Sequence, residues 1–217
     1  MAVKPKKGKT IDKWRKKKYF TVLAPKVFNE RELGQSIAYD AAALEGRPVR
    51  TNLMMLTGNI KKQNIAITFR INKVQGDTAY TRVHQYHVMP SAIKRKVRRD
   101  RDRVDDSFQC VTRDNKVIRI KPLVVTRVKT SRSVKAAVRS AMLQYMIDYI
   151  RKMDYDTLIG ELIIDKFQKN ISRALVKIIP IKIVDIRIMK FIGEQKAAES
   201  PVADSSEADS EKEAVTV

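Results

Sequence analysis

The sequence is poor in most of what active sites and metal centres are built from. Its 217 residues include one cysteine (Cys110), two histidines (His84 and His87) and one tryptophan (Trp14). A lone cysteine excludes an intrachain disulfide framework and a cysteine-ligated zinc site, and it fits a reducing compartment. The seven glycines form no phosphate-cradling loop, and no nucleophile elbow or zinc motif is present. With so few aromatics, a base-stacking platform does not dominate any binding surface. No apolar run approaches the ~20 residues of a membrane-spanning helix. The opening MAVKPKKGKT lacks the apolar segment of a secretory signal, so a cytosolic protein is expected. Acids are scarce too. Asp and Glu number 24 against 45 Lys and Arg, a formal net charge of +21.

That imbalance is the strongest feature present. A small soluble domain is well served by a net charge of ~2–8, and a far larger one repels itself unless an opposite charge lies nearby. The candidates are nucleic acid and an anionic membrane surface. No segment pairs a bulky apolar face with a basic one well enough for interfacial insertion, so a membrane partner is not expected.

The charge is also unevenly placed. Residues 1–17 form a basic extension with no sustained apolar periodicity, and residues 193–217 form an acidic Ala/Ser-rich tail. Both compositions predict disorder. Residues 18–192 between them read as one domain.

Within that domain strands come first. Tyr19 to Ala24 is β-prone and stops at Pro25. Ile65, Ile67, Phe69 and Ile71 alternate with polar residues, Gly76-Asp77 marks a turn, and Thr78 to Val88 completes a hairpin. Phe108 to Thr112 and Val117 to Val128 form a second hairpin across Arg113 to Lys116. Pro122 there implies an edge position or a bulge. The period then becomes helical. Ser131 or Ser133 caps a helix to about Met153, with Val134, Val138, Ala141, Met142, Tyr145, Tyr149 and Ile150 inward. Asp156 caps a second helix, with Leu158, Leu162 and Ile163 inward. Asn170 starts a third, with Ile171, Leu175 and Ile178 inward, before Pro180. A last strand spans about Ile183 to Met189. The class is α+β, mainly antiparallel, with a C-terminal helical block and one returning strand.

Two constellations invite a catalytic or metal reading. Asp100, Asp102, Asp105 and Asp106 suggest a two-metal nuclease, but the acids before Asp105 are interleaved with Arg, which competes with a metal for them. His84 and His87 sit in a strand pattern, where a three-residue step puts them on opposite faces, so ordinary sheet residues are expected. Cys110 reads as a small buried hydrophobe. No metal, cofactor or catalytic residue is assigned.

Three basic clusters carry the functional reading. The first is Lys13, Arg15, Lys16, Lys17 and Lys18, with Trp14 among them. The second is Lys94, Arg95, Lys96, Arg98, Arg99 and Arg101, on a connection where Pro90 opens a short helix seated by Ile93 and Val97. The third is Arg127, Lys129, Arg132 and Lys135. Arg forks onto a phosphate and Lys adds a mobile point charge, so separated clusters on one small body are the footprint of a nucleic-acid binder. Nothing resembles a DNA-reading helix or zinc finger, and charged flexible ends suit folded RNA. The acids of the second cluster are expected to pair with their basic neighbours.

Several fragments, in order, resemble the S3Ae (eS1) family of small-subunit ribosomal proteins of archaea and eukaryotes, with an archaeal-like length. They are Lys13-Trp14, YFTVLAPKVF from Tyr19, LEGRPV from Leu44, INKVQGDTAYTRVHQY from Ile71, the basic connection itself, VTRDNKVIRIKPLVVT from Val111, KTSRSVKAAVR from Lys129 and IIPIKIVDIRIMK from Ile178. Tyr19-Phe20 replaces a frequent Trp-Tyr and Asp114-Asn115 a frequent Asp-Gly, while AYDAAA from Ala38 and the acidic tail match nothing in the pattern. The resemblance implies a barrel-like β core with helices and a non-enzymatic structural role in cytoplasmic ribosomes. It also implies a seat on the platform near the 3′ end of the small-subunit rRNA and the mRNA exit, beside neighbouring platform proteins. A free-standing RNA chaperone and a metal-dependent nuclease are the alternatives.

Overall fold

The computed structural model describes residues 17–194; the basic extension before Lys17 and the tail after Glu194 lie outside the described residues. The strands are β1 (Lys18–Leu23), β2 (Glu32–Ala38), β3 (Pro48–Asn52), β4 (Ile65–Gln75), β5 (Thr78–Val88), β6 (Arg103–Asp105), β7 (Phe108–Val111), β8 (Lys116–Thr126) and β9 (Ile181–Glu194). The helices are α1 (Leu53–Thr57), α2 (Pro90–Lys96), α3 (Arg132–Arg151), α4 (Tyr155–Ile164) and α5 (Lys166–Leu175). The α+β class, both hairpins, the helical block and the returning strand are as expected. β9 runs on through Gly193 and Glu194.

All nine strands join one sheet, and every pairing is antiparallel except that of β1 with the start of β5. β5 is the branch. β4 lies along one edge, while the other edge takes β1 at Thr78–Tyr80 and β9 at Gln85–His87. β9 then pairs with β8 along nearly its whole length.

Gly76 sits at φ 58 and Asn115 at φ 56 in the two hairpin turns, left-handed conformations that Gly adopts freely and Asn tolerates. Pro122 is buried in a central strand at a register shift, Lys121 pairing with Ile188 and Pro122 with Ile186. It also falls between the segments of β8 that pair with β6 and β7. The bulge reading holds and the edge reading does not, because the missing N–H falls where no ladder bond is needed.

The strand alternation gives the sheet two unlike sides. One inward row crosses it as Ile67, Tyr86, Met189 and Ile120, all at most 3% exposed. Against this side pack Val138, Met142, Met146 and Ile150 of α3, Leu158, Ile159 and Leu162 of α4, and Phe167 and Ile171 of α5. Cys110 is buried here as well.

Three helical details depart from expectation. α4 begins at Tyr155 rather than after an Asp156 cap, and its first amide is taken by Asp114 Oδ2 of the hairpin turn at 3.2 Å. α5 starts at Lys166, directly after Asp165 at φ 62; Asn170 is inside the helix and donates to Tyr149 Oη at 3.1 Å. Because α5 stops at Leu175, the helical phase is lost, leaving Ile178 43% exposed and Ile179 buried instead. The competing partners, Asp114 for α4 and Tyr149 for Asn170, are distant in sequence.

Met189→Ala is expected to cost ~2–5 kcal/mol, because a fully buried thioether at the meeting of β5, β9 and β8 leaves a cavity. Ile192→Ala on the same strand, 47% exposed, should stay within ~0.5 kcal/mol. Urea unfolding of the two variants checks the difference.

Candidate nucleic-acid interface

The second basic cluster is built as a short helix and a turn. Pro90 occupies the first helical position of α2, where its missing N–H costs nothing. Ala92 is buried and Ile93 packs on the core, which sets the rest of the helix outward. Lys94, Arg98 and Arg99 are exposed with no carboxylate partner among the described residues. Arg95 donates to Asn64 Oδ1 at 2.9 Å. Lys96 points the other way, pairing with Asp185 of β9, and so acts as a fastening for the helix. Arg101 is half-buried and one of its guanidinium nitrogens has no partner.

The third cluster leads into α3. Lys129 and Arg132 are exposed without carboxylate partners among the described residues, while Arg127 Nε donates to the Ile181 carbonyl at 3.3 Å. Arg132 and Lys135 occupy the first turn of α3, which holds no acid. Cations there oppose the helix dipole, whose positive end favours anions.

Asp102 joins these two clusters. Its Oδ2 accepts from the Thr130 amide at 2.6 Å and the Thr130 hydroxyl at 3.1 Å, and Oδ1 pairs with Lys135 at 3.1 Å. The Thr130 amide first, and Lys135 next, hold this carboxyl below the usual carboxylate range. The Thr126 amide also donates to the Asp102 carbonyl at 3.0 Å. Residues 98–101 and 127–135, separated in sequence, are thereby fixed side by side.

Asp105 is engaged by a basic neighbour, as expected, and Asp105 and Asp106 are both engaged by cations distant in sequence. Asp105 meets Arg103 at 3.1 Å and Arg187 of β9 at 3.6 Å, and Asp106 meets Arg139 of α3 at 3.6 Å. No group of three or more His, Cys, Asp or Glu side chains among the described residues is placed to hold a metal.

Of the first cluster only Lys17 and Lys18 fall among the described residues. Lys13, Trp14, Arg15 and Lys16 lie outside the described residues, Lys17 sits 5.6 Å over the Tyr39 ring, and Lys18 opens β1. β1 runs parallel to the beginning of β5, whereas α2 follows the end of β5. An 11-residue strand separates the two by roughly 30 Å.

Sequence reading missed the cations that the sheet gathers one per strand. The register aligns Arg50, Thr68, Gln85, Lys190, Arg119 and Gln109 in a row from β3 to β7. A flanking row pairs Arg70 with Arg82, and another runs from His87 through Ile188 to Lys121. A bulge at His84, where Gln85 faces Thr68 but Val83 faces Phe69, interrupts the strand between the two histidines, and the His84 ring meets that of buried Phe191 edge-on at 6.4 Å. Cations of the outward rows surround both. Burial, then Arg70, Lys190 and Arg82, lower the pKa of His84, and burial, then Arg50 and Arg187, lower that of His87.

A further concavity of about 760 Å³ lies between α5 and β9 beside Lys96. Exposed Lys61, Lys169 and Lys182 rim it, and the Lys62–Asp165 ion pair crosses it.

Comparison with known proteins bears out the resemblance. The model of the ribosomal S3Ae family matches residues 5–195. The chain is similar to the small ribosomal subunit protein eS1 of Archaeoglobus fulgidus, 31% identical over 94% of this chain and 97% of that protein. It is also similar to eS1 of Saccharolobus islandicus, 32% identical over 86% and 90% respectively. For eS1 of Nanoarchaeum equitans the figures are 31% over 77% and 84%. With the match running through the whole described body, the chain belongs to the ribosomal S3Ae family.

Proposed function

We propose that this protein is a structural, non-enzymatic constituent of the small ribosomal subunit in the cytoplasm, and that it binds rRNA mainly through backbone phosphates. Its seat in this reading is the platform, near the 3′ end of the small-subunit rRNA and the mRNA exit, with other platform proteins as neighbours. Family membership supports the assembly, and the platform seat rests on the same kinship.

One observation carries the RNA contact. Asp102 joins two basic clusters into one surface on which Lys94, Arg98, Arg99, Lys129 and Arg132 remain exposed and without carboxylate partners among the described residues. Phosphate contacts of this kind position a protein on RNA without reading its sequence. Of the carboxylates that suggested hydrolysis, Asp102, Asp105 and Asp106 are paired with cations, and no group of three or more ligating side chains converges among the described residues.

In lysate gradients the protein is expected to co-sediment with small subunits; a free pool accounting for most of the protein would favour a free-standing RNA chaperone. Replacing Lys94, Arg98 and Arg99 together by Ala should weaken binding to a small-subunit rRNA transcript. The log–log salt dependence should flatten by about 0.7–0.9 for each phosphate that is no longer neutralised, as read by filter binding across salt concentrations. Lys96→Ala should instead act mainly on stability, since its ammonium is already committed to Asp185.

A further inference from the structure

The outward side of the sheet is electrostatically unfavourable as the chain stands. Arg70 lies directly opposite Arg82, and Lys190 directly opposite Arg119. Like charges facing each other across a strand pair destabilise it. Arg82 finds relief 3.4 Å from Glu194 and with its guanidinium 4.6 Å over the Phe191 ring, and Arg70 Nε donates to the Gly46 carbonyl at 2.9 Å. Arg50, Lys190, Arg119 and Lys121 have no carboxylate partner among the described residues, although acids stand nearby in Asp105 and Asp185. The three outward rows themselves contain no acid.

The rows also hold uncharged polar groups with bonds to spare. His87 stands in one of these rows, its Nδ1 buried without a hydrogen-bond partner, a condition that costs free energy. Thr68 and Gln85 lie between the cations in the central row. Bulky apolar anchors are nearly missing, Ile188 being the only large aliphatic residue aligned in these rows. A protein partner would call for an apolar or aromatic centre, and a lipid surface for inserting side chains. Cations interspersed with small hydrogen-bonding groups suit a ribose–phosphate backbone. Six strands at about 4.8 Å spacing make the central row roughly 24 Å long, enough to track several nucleotides.

Building on the RNA reading above, we propose that this sheet face is a second RNA-contacting surface, distinct from the one centred on Asp102. Arg50, Arg70, Lys190 and Arg119 take phosphates there, and Thr68 and Gln85 lie within reach of sugar hydroxyls.

The test compares the full-length chain with a Lys190→Ala/Arg119→Ala variant and, in parallel, with the Lys94/Arg98/Arg99 alanine variant. The probes are a small-subunit rRNA transcript and a DNA copy of the same sequence. Removing the opposed cations is expected to leave the unfolding midpoint unchanged or raised, because a repulsion is relieved. It should also weaken transcript binding and lower the salt slope by about 1.4–1.8, the change expected when two phosphates are left unneutralised. The intact chain should prefer the transcript to the DNA copy, and equal affinity overturns the assignment of sugar hydroxyls. Wild-type affinity and slope in the sheet variant, with weakened binding in the other, overturn the sheet surface and leave the RNA reading standing. Unchanged binding in both variants overturns the RNA reading itself. If the sheet variant binds the transcript normally yet is missing from small subunits in gradients, the face belongs to a protein neighbour and the proposal fails.

Discussion

Everything distinctive in this molecule depends on β9 lying between β5 and β8. Without it the strands β1 to β5 and the strands β6 to β8 would form two separate sheets. The pairing of β9 with both fuses their inward residues into one apolar row and their outward residues into one basic row. Because β9 is also the last element of the described chain, these pairings span long sequence separations. That topology makes folding slow and cooperative, since loop-closure entropy is given up before the pairings that offset it form.

The same alternation therefore builds stability and charge density together. Each residue added inward to the core places its neighbour outward, and in β4, β5, β8 and β9 several of those neighbours are Arg or Lys. The helices settle on the apolar side. Nothing among the described helices neutralises the other.

Local order is readable from the amino acids alone. The hairpins show through Ile65-Ile67-Phe69-Ile71 alternation and turn residues, and α3 through its three- and four-residue steps, because those signals involve near neighbours. The second and third clusters are equally visible as runs. What escapes such a reading is decided at a distance. Asp102 reaches Thr130 and Lys135, Asp114 caps α4, and Lys96 turns inward to Asp185. The row from Arg50 to Arg119 appears only once register is known, since its cations stand one to a strand and look ordinary in their own segments. Register is a tertiary property, and a one-residue slip would have hidden the entire row.

The opposed pairs Arg70–Arg82 and Lys190–Arg119 have a consequence for how much of this protein persists. A folded state that carries its own repulsion is at its weakest when alone, and a ligand that binds only that state adds stability that grows with its concentration. Under the RNA reading, copies made beyond the supply of unoccupied RNA open more often and meet proteases in that open state. The abundance of the folded protein is then metered by the nucleic acid it joins, with no dedicated regulator required.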